Sequence, residues 1–312
     1  MRCSAGRHRL GVGAGLRFDV TMRYGLTSEG FVGENGVGVR RVLAITSHAD
    51  ERWGRKQEAG IAEYLERGWG GAGELAPTEL DWSPVRTTAY LYKLFCAYVA
   101  LALGEGFPGE RPLMLDVGCG VSASLPPYAG PLKDRCRYVG LDPIDAGGER
   151  EYLFVRGALE DLPEALDARF DVFLFVTSLD HFRSVEAAAS AARRLAGPRS
   201  VALFLVGVHD PAVVARQIGR DRFGLVFGHL GLGHFLRHWI GMSFRGLPTT
   251  YLQLRQRQRW LESGRPLDAR HFHYFTASEL PKALEAFGPL EDMTLVPGTN
   301  AVFARCSVDG AR

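Results

Sequence analysis

The chain has 312 residues, of which 46% are apolar and 23% are charged, and its formal net charge is only +2. This composition is typical of a globular protein with a full core, and the small charge argues against nucleic acid or an anionic membrane as a general partner. Five scattered cysteines without a Cys-x-x-Cys pair argue against a disulfide framework or a structural zinc site and favour a reducing, cytoplasmic location.

The first 108 residues carry few signals of function. Residues 1–49 are rich in glycine, so we predict a flexible or poorly structured N-terminal segment there. Residues 50–108 are predicted to form a helical cap, because 51–67 have a helical composition and 85–103 are rich in leucine, alanine and aromatic residues. The aromatic side chains of this second helix are expected to belong to the core rather than to a substrate site.

An apolar run that ends in an acidic residue and a Gly-x-Gly turn follows at residues 113–120, which read Leu-Met-Leu-Asp-Val-Gly-Cys-Gly. This order is typical of a buried parallel strand that opens into a ligand-binding loop, since Gly118 and Gly120 let a ligand approach the backbone closely. The Asp116 carboxylate suits a positively charged or hydroxylated ligand better than the pyrophosphate of a dinucleotide. We therefore favour S-adenosylmethionine (SAM), a sulfonium with an amino-acid tail. Cys119 is expected to be a small packing residue rather than a nucleophile.

Three further apolar runs end in polar residues and predict three more strands. The run at 138–141 ends at Asp142, 24 residues after Gly118 and near the roughly 20-residue offset of a ribose-binding acid. The run at 152–155 leads to Leu159 and Glu160, and the run at 170–176 leads to Thr-Ser-Leu-Asp-His-Phe at 177–182. Such strands, alternating with helical segments, predict a doubly wound α/β sheet with ligands at the carboxyl ends of its strands.

On these four motifs, residues 111–306 resemble the class I SAM-dependent methyltransferases. The resemblance implies a Rossmann-like, doubly wound, mostly parallel seven-stranded sheet within a SAM-binding domain at 109–312. It implies transfer of the sulfonium methyl group to an oxygen, nitrogen or carbon acceptor. The residues that it assigns to the cofactor are Asp116, Gly118, Cys119 and Gly120 near the methionine part, Asp142 at the ribose, Pro143 against adenine, Leu159 and Glu160 at the adenine edge, and Thr177.

Three features depart from the family's pattern. Ser122 and Ala158 stand where the family often has a glycine and an aspartate. Pro126 and Pro127 are expected to cut short the helix after the first loop. Without the aspartate, either Glu160 bonds the adenine amino group in its place or that bond is absent.

A long connection at residues 209–270 separates the fifth strand from the last helix. A structureless connection of this length is rare in a compact domain, so we predict a helical insertion with helices at 210–218 and 251–263. Its apolar, aromatic stretch at 223–240 is expected to form a lid over the acceptor pocket. The alternative is peripheral membrane contact to reach a lipid acceptor. The histidines there lack a carboxylate or cysteine pattern, so no metal is expected, and no segment is long enough to span a membrane.

Residues 271–276, His-Phe-His-Tyr-Phe-Thr, form a second polar and aromatic cluster. Thr276 is predicted to cap the last helix, with Glu279 completing a capping box. The histidines and the tyrosine either reach the acceptor pocket or pack structurally.

Asp180 and His181, after the fourth strand, are the candidate catalytic residues. Transfer to a hydroxyl group requires removal of a proton, and an imidazole with an ordinary pKa of about 6.5 suits this near neutral pH. Asp180 would orient His181 or act as the base itself. The alternative is that both cap the next helix and contact the cofactor.

The sequence therefore predicts a cytoplasmic SAM-dependent methyltransferase with a small-molecule or lipid-like acceptor. The alternatives are another SAM-using transferase on this fold and a non-catalytic binding or scaffold protein. Nucleic acid is disfavoured as the acceptor, because residues 177–182 lack the Asn-Pro-Pro-Tyr type of motif and no basic stripe is present.

Overall fold

The computed structural model of the chain describes residues 24–27, 29–33, 39–40, 42–44, 84–144, 149–208, 272–296 and 299–308. The predicted helix at 51–67 and the predicted insertion at 209–270 lie outside these ranges. In chain order the strands and helices are β1 (Tyr24–Leu26), β2 (Phe31–Gly33), β3 (Val39–Arg40), β4 (Val42–Ala44), α1 (Pro84–Gly106), β5 (Leu113–Val117), β6 (Arg137–Asp142), β7 (Leu153–Arg156), α2 (Leu162–Ala165), β8 (Leu166–Asp167), β9 (Phe170–Val176), α3 (Val185–Leu195), β10 (Ala196–Gly207), α4 (Leu280–Glu285), β11 (Leu290–Leu295) and β12 (Ala301–Val308).

The main sheet has the strand order β11-β12-β10-β9-β5-β6-β7-β4. The strands from β10 to β4 in this order pair in parallel, whereas β12 runs antiparallel to both β10 and β11. The predicted mostly parallel α/β sheet is confirmed, with β4 as an eighth strand beyond the expected seven. The strand order reverses at β5, whose neighbours are β6 and β9. Ligands of doubly wound sheets bind beside such a reversal, at the carboxyl ends of the strands.

Both faces of the sheet are covered, which explains why its central strands are apolar along their whole length. On one face, Phe173 and Phe175 of β9 join a core that includes the alanine-rich side of α3. On the other face, Val172 and Leu174 join a core built around Phe95 of α1. Ser184 begins α3 by accepting a hydrogen bond from the Ala187 N–H at 3.1 Å. A serine at this position satisfies a backbone donor that the helix cannot pair.

The prediction that residues 1–49 are flexible or poorly structured is wrong for the residues described there, 24–27, 29–33, 39–40 and 42–44. There β1 and β2 form an antiparallel pair, and β8 joins β1 in parallel within a second, four-stranded sheet. Phe31 and Leu43 are fully buried in the same core as α3, and each buried side chain of this size contributes about 1.5–3 kcal/mol. Burial of these two side chains favours ordered strands in a segment that is rich in glycine.

Two further expectations concern helices. No α-helix forms between β5 and β6, where Pro126 and Pro127 precede a single 3-10 turn at Gly130–Leu132, so the expected shortening is confirmed. Within the part of the chain that the structure describes, no helix is long and apolar enough to cross a membrane.

Candidate functional site

The loop after β5 and the end of β6 are bonded to each other. The N–H of Gly118 donates to the Leu141 carbonyl at 2.7 Å. Asp142 accepts from the Gly120 N–H at Oδ2 and from the Ile144 N–H at Oδ1, both at 2.8 Å. The two motifs that the sequence placed 24 residues apart therefore meet at one point. Pro143, which follows Asp142, is half-buried beside them.

The turn after β5 requires its glycines. Gly118 and Gly120 have φ values of +81° and +77°, a conformation that is costly for residues with a Cβ. A Cβ on Gly118 would also lie 2.5 Å from the Cβ of Ser178. Ser178 follows β9 and donates from its Oγ to the Val117 carbonyl at 2.6 Å. The close contact joins the end of β9 to the glycine loop.

Asp116 is the most deeply buried acidic group near this loop. Its side chain has no exposed surface, and its Oδ2 accepts hydrogen bonds from the hydroxyls of Tyr128, at 2.7 Å, and of Tyr138. Its Oδ1 has no hydrogen-bond partner among the described residues. Burial raises the pKa of Asp116 to about 7, against the opposing effect of the two hydroxyls. The site therefore holds a buried carboxyl group with one acceptor atom still available.

The partners of Asp116 were not predicted from the sequence. Tyr128 directly follows Pro126 and Pro127, and the N–H of Ala129 donates to the Pro126 carbonyl at 2.8 Å in the turn that replaces the helix. The proline pair was a signal that this connection would be irregular. It did not indicate that a tyrosine there would reach the acidic residue of β5.

Arg150 and Tyr152 hold the backbone that follows the glycine loop, and neither residue was predicted from the sequence. The Arg150 Nη1 donates to the Ser122 carbonyl at 2.8 Å, and the Tyr152 hydroxyl donates to the same carbonyl at 2.7 Å. The Arg150 guanidinium lies 3.7 Å from the centre of the Phe154 ring. The alternation of residues 150, 152 and 154, typical of one face of an extended segment, was the available signal.

Cys119 is packed rather than reactive. It is buried against Gly140, where a Cβ would lie 2.7 Å from its Sγ. Burial, with Asp142 and Asp116 nearby, raises the pKa of the thiol well above its ordinary value. Since the thiolate is the reactive form, this agrees with the predicted packing role.

The loop after β7 contributes backbone and one acidic side chain. Leu159 and Ala158 are buried, so the Leu159 side chain belongs to the core. Glu160 lies 3.8 Å from the Arg183 guanidinium, which also lies 3.6 Å from Asp161. Burial raises the pKa of Glu160, partly offset by Arg183. These ion pairs connect the third loop to the loop that follows β9.

Thr177 is the first residue after β9 and the only residue other than glycine with positive φ in the described chain, at +53°. Its side chain is exposed, and its N–H donates to the Leu205 carbonyl at 2.8 Å. A β-branched residue in this region is strained, and such strain often marks functional sites.

Asp180 and His181 lie in the 3-10 turn Leu179–His181. The His181 Nε2 is 3.6 Å from the Asp180 Oδ1, with 38% and 16% of the two side chains exposed. The cap of α3 is Ser184, so the alternative in which Asp180 and His181 cap that helix is wrong.

Residues 272 and 273, which follow the predicted insertion in sequence, hydrogen-bond to the turn that contains Asp180 and His181. The backbone carbonyl of Asp180 accepts from the N–H groups of Phe272, at 2.8 Å, and His273, at 3.2 Å. Next to it the two bonds of the predicted capping box form: the Thr276 N–H donates to the Glu279 Oε2 at 3.1 Å, and the Glu279 N–H donates to the Thr276 Oγ1 at 3.3 Å. However, α4 begins at Leu280 with Glu279 as its N-cap, so the prediction that Thr276 caps this helix is wrong. His271 lies outside the described residues. Among those described, no group of three or more histidine, cysteine or acidic side chains is arranged to hold a metal ion.

A match to a known protein family agrees with this fold. A family model described as a methyltransferase domain matches residues 88–289. No curated protein sequence matches the chain.

Three solved structures are similar in fold. The 1,6-didemethyltoxoflavin-N1-methyltransferase of Burkholderia thailandensis, with bound 1,6-didemethyltoxoflavin and S-adenosylhomocysteine (SAH), is 16% identical with a TM-score of 0.49, over 85% of this chain and 92% of that chain. The magnesium protoporphyrin IX methyltransferase of Synechocystis PCC 6803, with bound SAM, is 12% identical with a TM-score of 0.46, over 85% and 100%. The N-methyltransferase NodS of Bradyrhizobium japonicum WM9, with bound SAH, is 11% identical with a TM-score of 0.40, over 83% and 99%.

Proposed function

Because the chain belongs to the methyltransferase-domain family, we propose that it transfers the sulfonium methyl group of SAM to an oxygen, nitrogen or carbon atom of a small or lipid-like molecule. One observation carries the proposal. The Gly118–Gly120 turn lies between two buried carboxyl groups, Asp116 before it and Asp142 bonded to it at 2.8 Å. The site is acidic, and the N–H groups of Gly118 and Gly120 are already bonded within the protein, whereas SAM carries positive charge at its sulfonium and its α-ammonium.

The residues fit the parts of SAM. The Asp142 carboxylate is held at the loop by backbone N–H groups that donate to both of its oxygens at 2.8 Å. A carboxylate is an acceptor of the kind that ribose hydroxyls require. The available Oδ1 of Asp116 suits an ammonium. Pro143 offers a flat apolar surface for adenine, and the backbone at Leu159 and Glu160 offers polar groups for the adenine edge.

When bound, SAM supplies an electrophilic methyl group for an in-line displacement. The protein's task is then to hold the acceptor in line and to exclude water from it. For an oxygen acceptor, His181 would accept the proton at one ring nitrogen, and Asp180, 3.6 Å away, would orient the ring and stabilise its charged form. The strained backbone of Thr177 would separate the cofactor site from the acceptor site.

The apolar stretch at 223–240 supports the proposal that the acceptor is a small or lipid-like molecule. We propose that this stretch acts as a lid, with peripheral membrane contact as the alternative. A cytoplasmic location and the absence of a metal stay predictions.

Calorimetric titration with SAH is the test of this function. We expect micromolar binding by the wild type and at least tenfold weaker binding by Asp142→Asn. Asp171→Asn is the matched control, because Asp171 also accepts a backbone hydrogen bond, from the Leu113 N–H at 2.8 Å, but lies at the start of β9, away from the site. No binding by folded wild type would overturn the proposal and favour a non-catalytic protein of this fold.

The acceptor class requires a second measurement. Protein that binds SAH would be incubated with methyl-labelled SAM and a panel of phenols, hydroxy acids and polyprenyl compounds. Labelled product from one class identifies the acceptor. Consumption of SAM without methyl transfer would favour another SAM-using transferase.

A further inference from the structure

Two tyrosine hydroxyls converge on a single oxygen of Asp116. Tyr128 and Tyr138 both donate to Oδ2, while Oδ1 has no partner among the described residues. Burial raises the pKa of each phenol well above its ordinary value, and Asp116 raises it further. Both phenols are therefore permanent donors near neutral pH, and the two oxygens of the carboxyl group are fixed in different roles.

The ring of each tyrosine packs against aromatic rings from a different part of the chain. The Tyr128 ring meets Tyr92 of α1 edge to face, with ring centroids 5.2 Å apart, and contacts Phe95 at 6.2 Å. The Tyr138 ring meets Tyr152 edge to face at 5.0 Å. Since aromatic contacts of this geometry restrict ring orientation, the helix α1 and the segment that supports the glycine loop together fix where Oδ1 points.

No described ion pair includes Asp116. The nearby carboxylate of Asp142 opposes the ionisation of Asp116. A buried carboxylate without a counter-ion is unfavourable, and a cationic donor relieves this most strongly. The glycine loop that begins two residues after Asp116 is half-exposed.

We propose that Tyr128 and Tyr138 are positioning residues for the cofactor, which hold Asp116 so that its Oδ1 accepts a hydrogen bond from the α-ammonium of SAM. This inference rests on the proposed function. It adds that recognition of the amino-acid tail depends on two phenols that do not touch the cofactor. The proline pair before Tyr128 then has a function, because a regular helix there would move this tyrosine.

The test compares SAH with its deaminated analogue, in which hydrogen replaces the α-amino group. Both ligands are titrated into the full chain carrying Tyr128→Phe or Tyr138→Phe. Each variant removes one donor to a buried charged group, so we expect about tenfold weaker SAH binding and an affinity for the deaminated analogue within about twofold of wild type. Tyr98→Phe is the control, because the Tyr98 hydroxyl also donates to a carboxylate, that of Asp292 at 3.1 Å, on the protein surface.

A pH series separates positioning from a merely structural role. As pH rises through about 7, Asp116 ionises and SAH should bind more tightly. The deaminated analogue, which still reaches Asp142, should lack this change. Loss of a hydroxyl donor should move the SAH profile to higher pH.

Three results would overturn the inference. Equal loss of affinity for both ligands would make the tyrosines structural only. Unchanged SAH binding in both variants would show that the two tyrosines have no role in cofactor recognition. The methyltransferase proposal would still stand. If wild type binds neither ligand, the proposed function itself fails.

Discussion

Gly118 and Ser178 are so close that a single added methyl group at position 118 would lie 2.5 Å from the Ser178 Cβ. Ser178 also donates to the carbonyl of Val117, the residue before that glycine, at 2.6 Å. The ends of β5 and β9 are thereby locked to each other. The proposed cofactor loop and the proposed catalytic turn consequently form one rigid unit.

Gly118→Ala should break this unit. The substitution combines a positive φ with the contact to Ser178, so we expect a loss of about 2–4 kcal/mol in the free energy of unfolding and no measurable SAH binding. Chemical denaturation and calorimetry check both. Gly106→Ala is the control, since no atom lies within 4 Å of the Cβ that it would add. Adding Ser178→Gly should restore part of the stability, and a double variant no better than Gly118→Ala would contradict the contact argument.

Thr177→Gly should separate stability from activity. Relief of the strain at φ +53° should raise the free energy of unfolding by about 1 kcal/mol, whereas methyl transfer should fall because the backbone that separates the two sites becomes mobile. Thr294→Gly, at an exposed position of β11, is the control. It should lower the free energy of unfolding, because glycine in an ordinary strand destabilises by roughly 0.5–1 kcal/mol. A Thr177→Gly enzyme that is both more stable and fully active would show that the strain has no function.

Asp116→Asn should change how stability depends on pH. The folded-state pKa of about 7 lies above the ordinary value of 3.8, so the folded protein retains a proton that the unfolded chain releases. Wild type should therefore lose stability relative to the asparagine variant as pH rises from about 4 to about 7, by on the order of 4 kcal/mol. The asparagine carbonyl still accepts from the two tyrosines. Denaturation midpoints across this range give the difference, and parallel curves would show that Asp116 titrates normally.

Arg150→Lys should loosen the glycine loop. Lysine lacks the planar group that lies over Phe154 and bonds the Ser122 carbonyl, so we expect a loss of about 1–3 kcal/mol in stability and weaker SAH binding. Arg199→Lys is matched, because Arg199 bonds both oxygens of Glu110 at 2.9 Å but is largely exposed. Its stability should change by less than about 0.5 kcal/mol. Equal effects in the two variants would exclude a specific role for Arg150.

His181→Ala should affect turnover and spare cofactor binding. For an oxygen acceptor we expect about 10²-fold or greater loss of kcat, with SAH affinity within about twofold of wild type. Asp180→Asn, which retains the side-chain shape, should cause a smaller loss, because it changes only the group that orients His181. Full turnover in His181→Ala would assign proton removal to another group or to water.

The order of strands and loops was predictable because it depends on local pattern. Apolar runs that end in Asp116, Asp142 and Thr177 identify the carboxyl ends of parallel strands without knowledge of their neighbours. The capping box at Thr276 and Glu279 is local as well, with both partners within one turn. Assignment to the methyltransferase family followed from these features.

The partners of the site were not predictable, because they depend on strand register. Tyr138 reaches Asp116 only because β5 and β6 pair with Asp116 opposite Gly140, which places Tyr138 on the same side of the sheet as Asp116. A register shifted by one residue would point it to the opposite face. The strands around Phe31 and Leu43 were missed for another reason: three residues are too few for a period to show.

The pairing of β4 with β7 sets an order of events during synthesis. Leu43 lies beside Val155 in the finished sheet, yet it is made long before that partner, and contacts this distant in sequence form late. We expect β4 to emerge from the ribosome before its partner strand β7 is made. Its apolar side chains would then stay exposed to water until the central strands have assembled. Although β4 is made before β5, β6 and β7, it would join the sheet only after them, and the nascent chain would be most exposed to self-association during this interval.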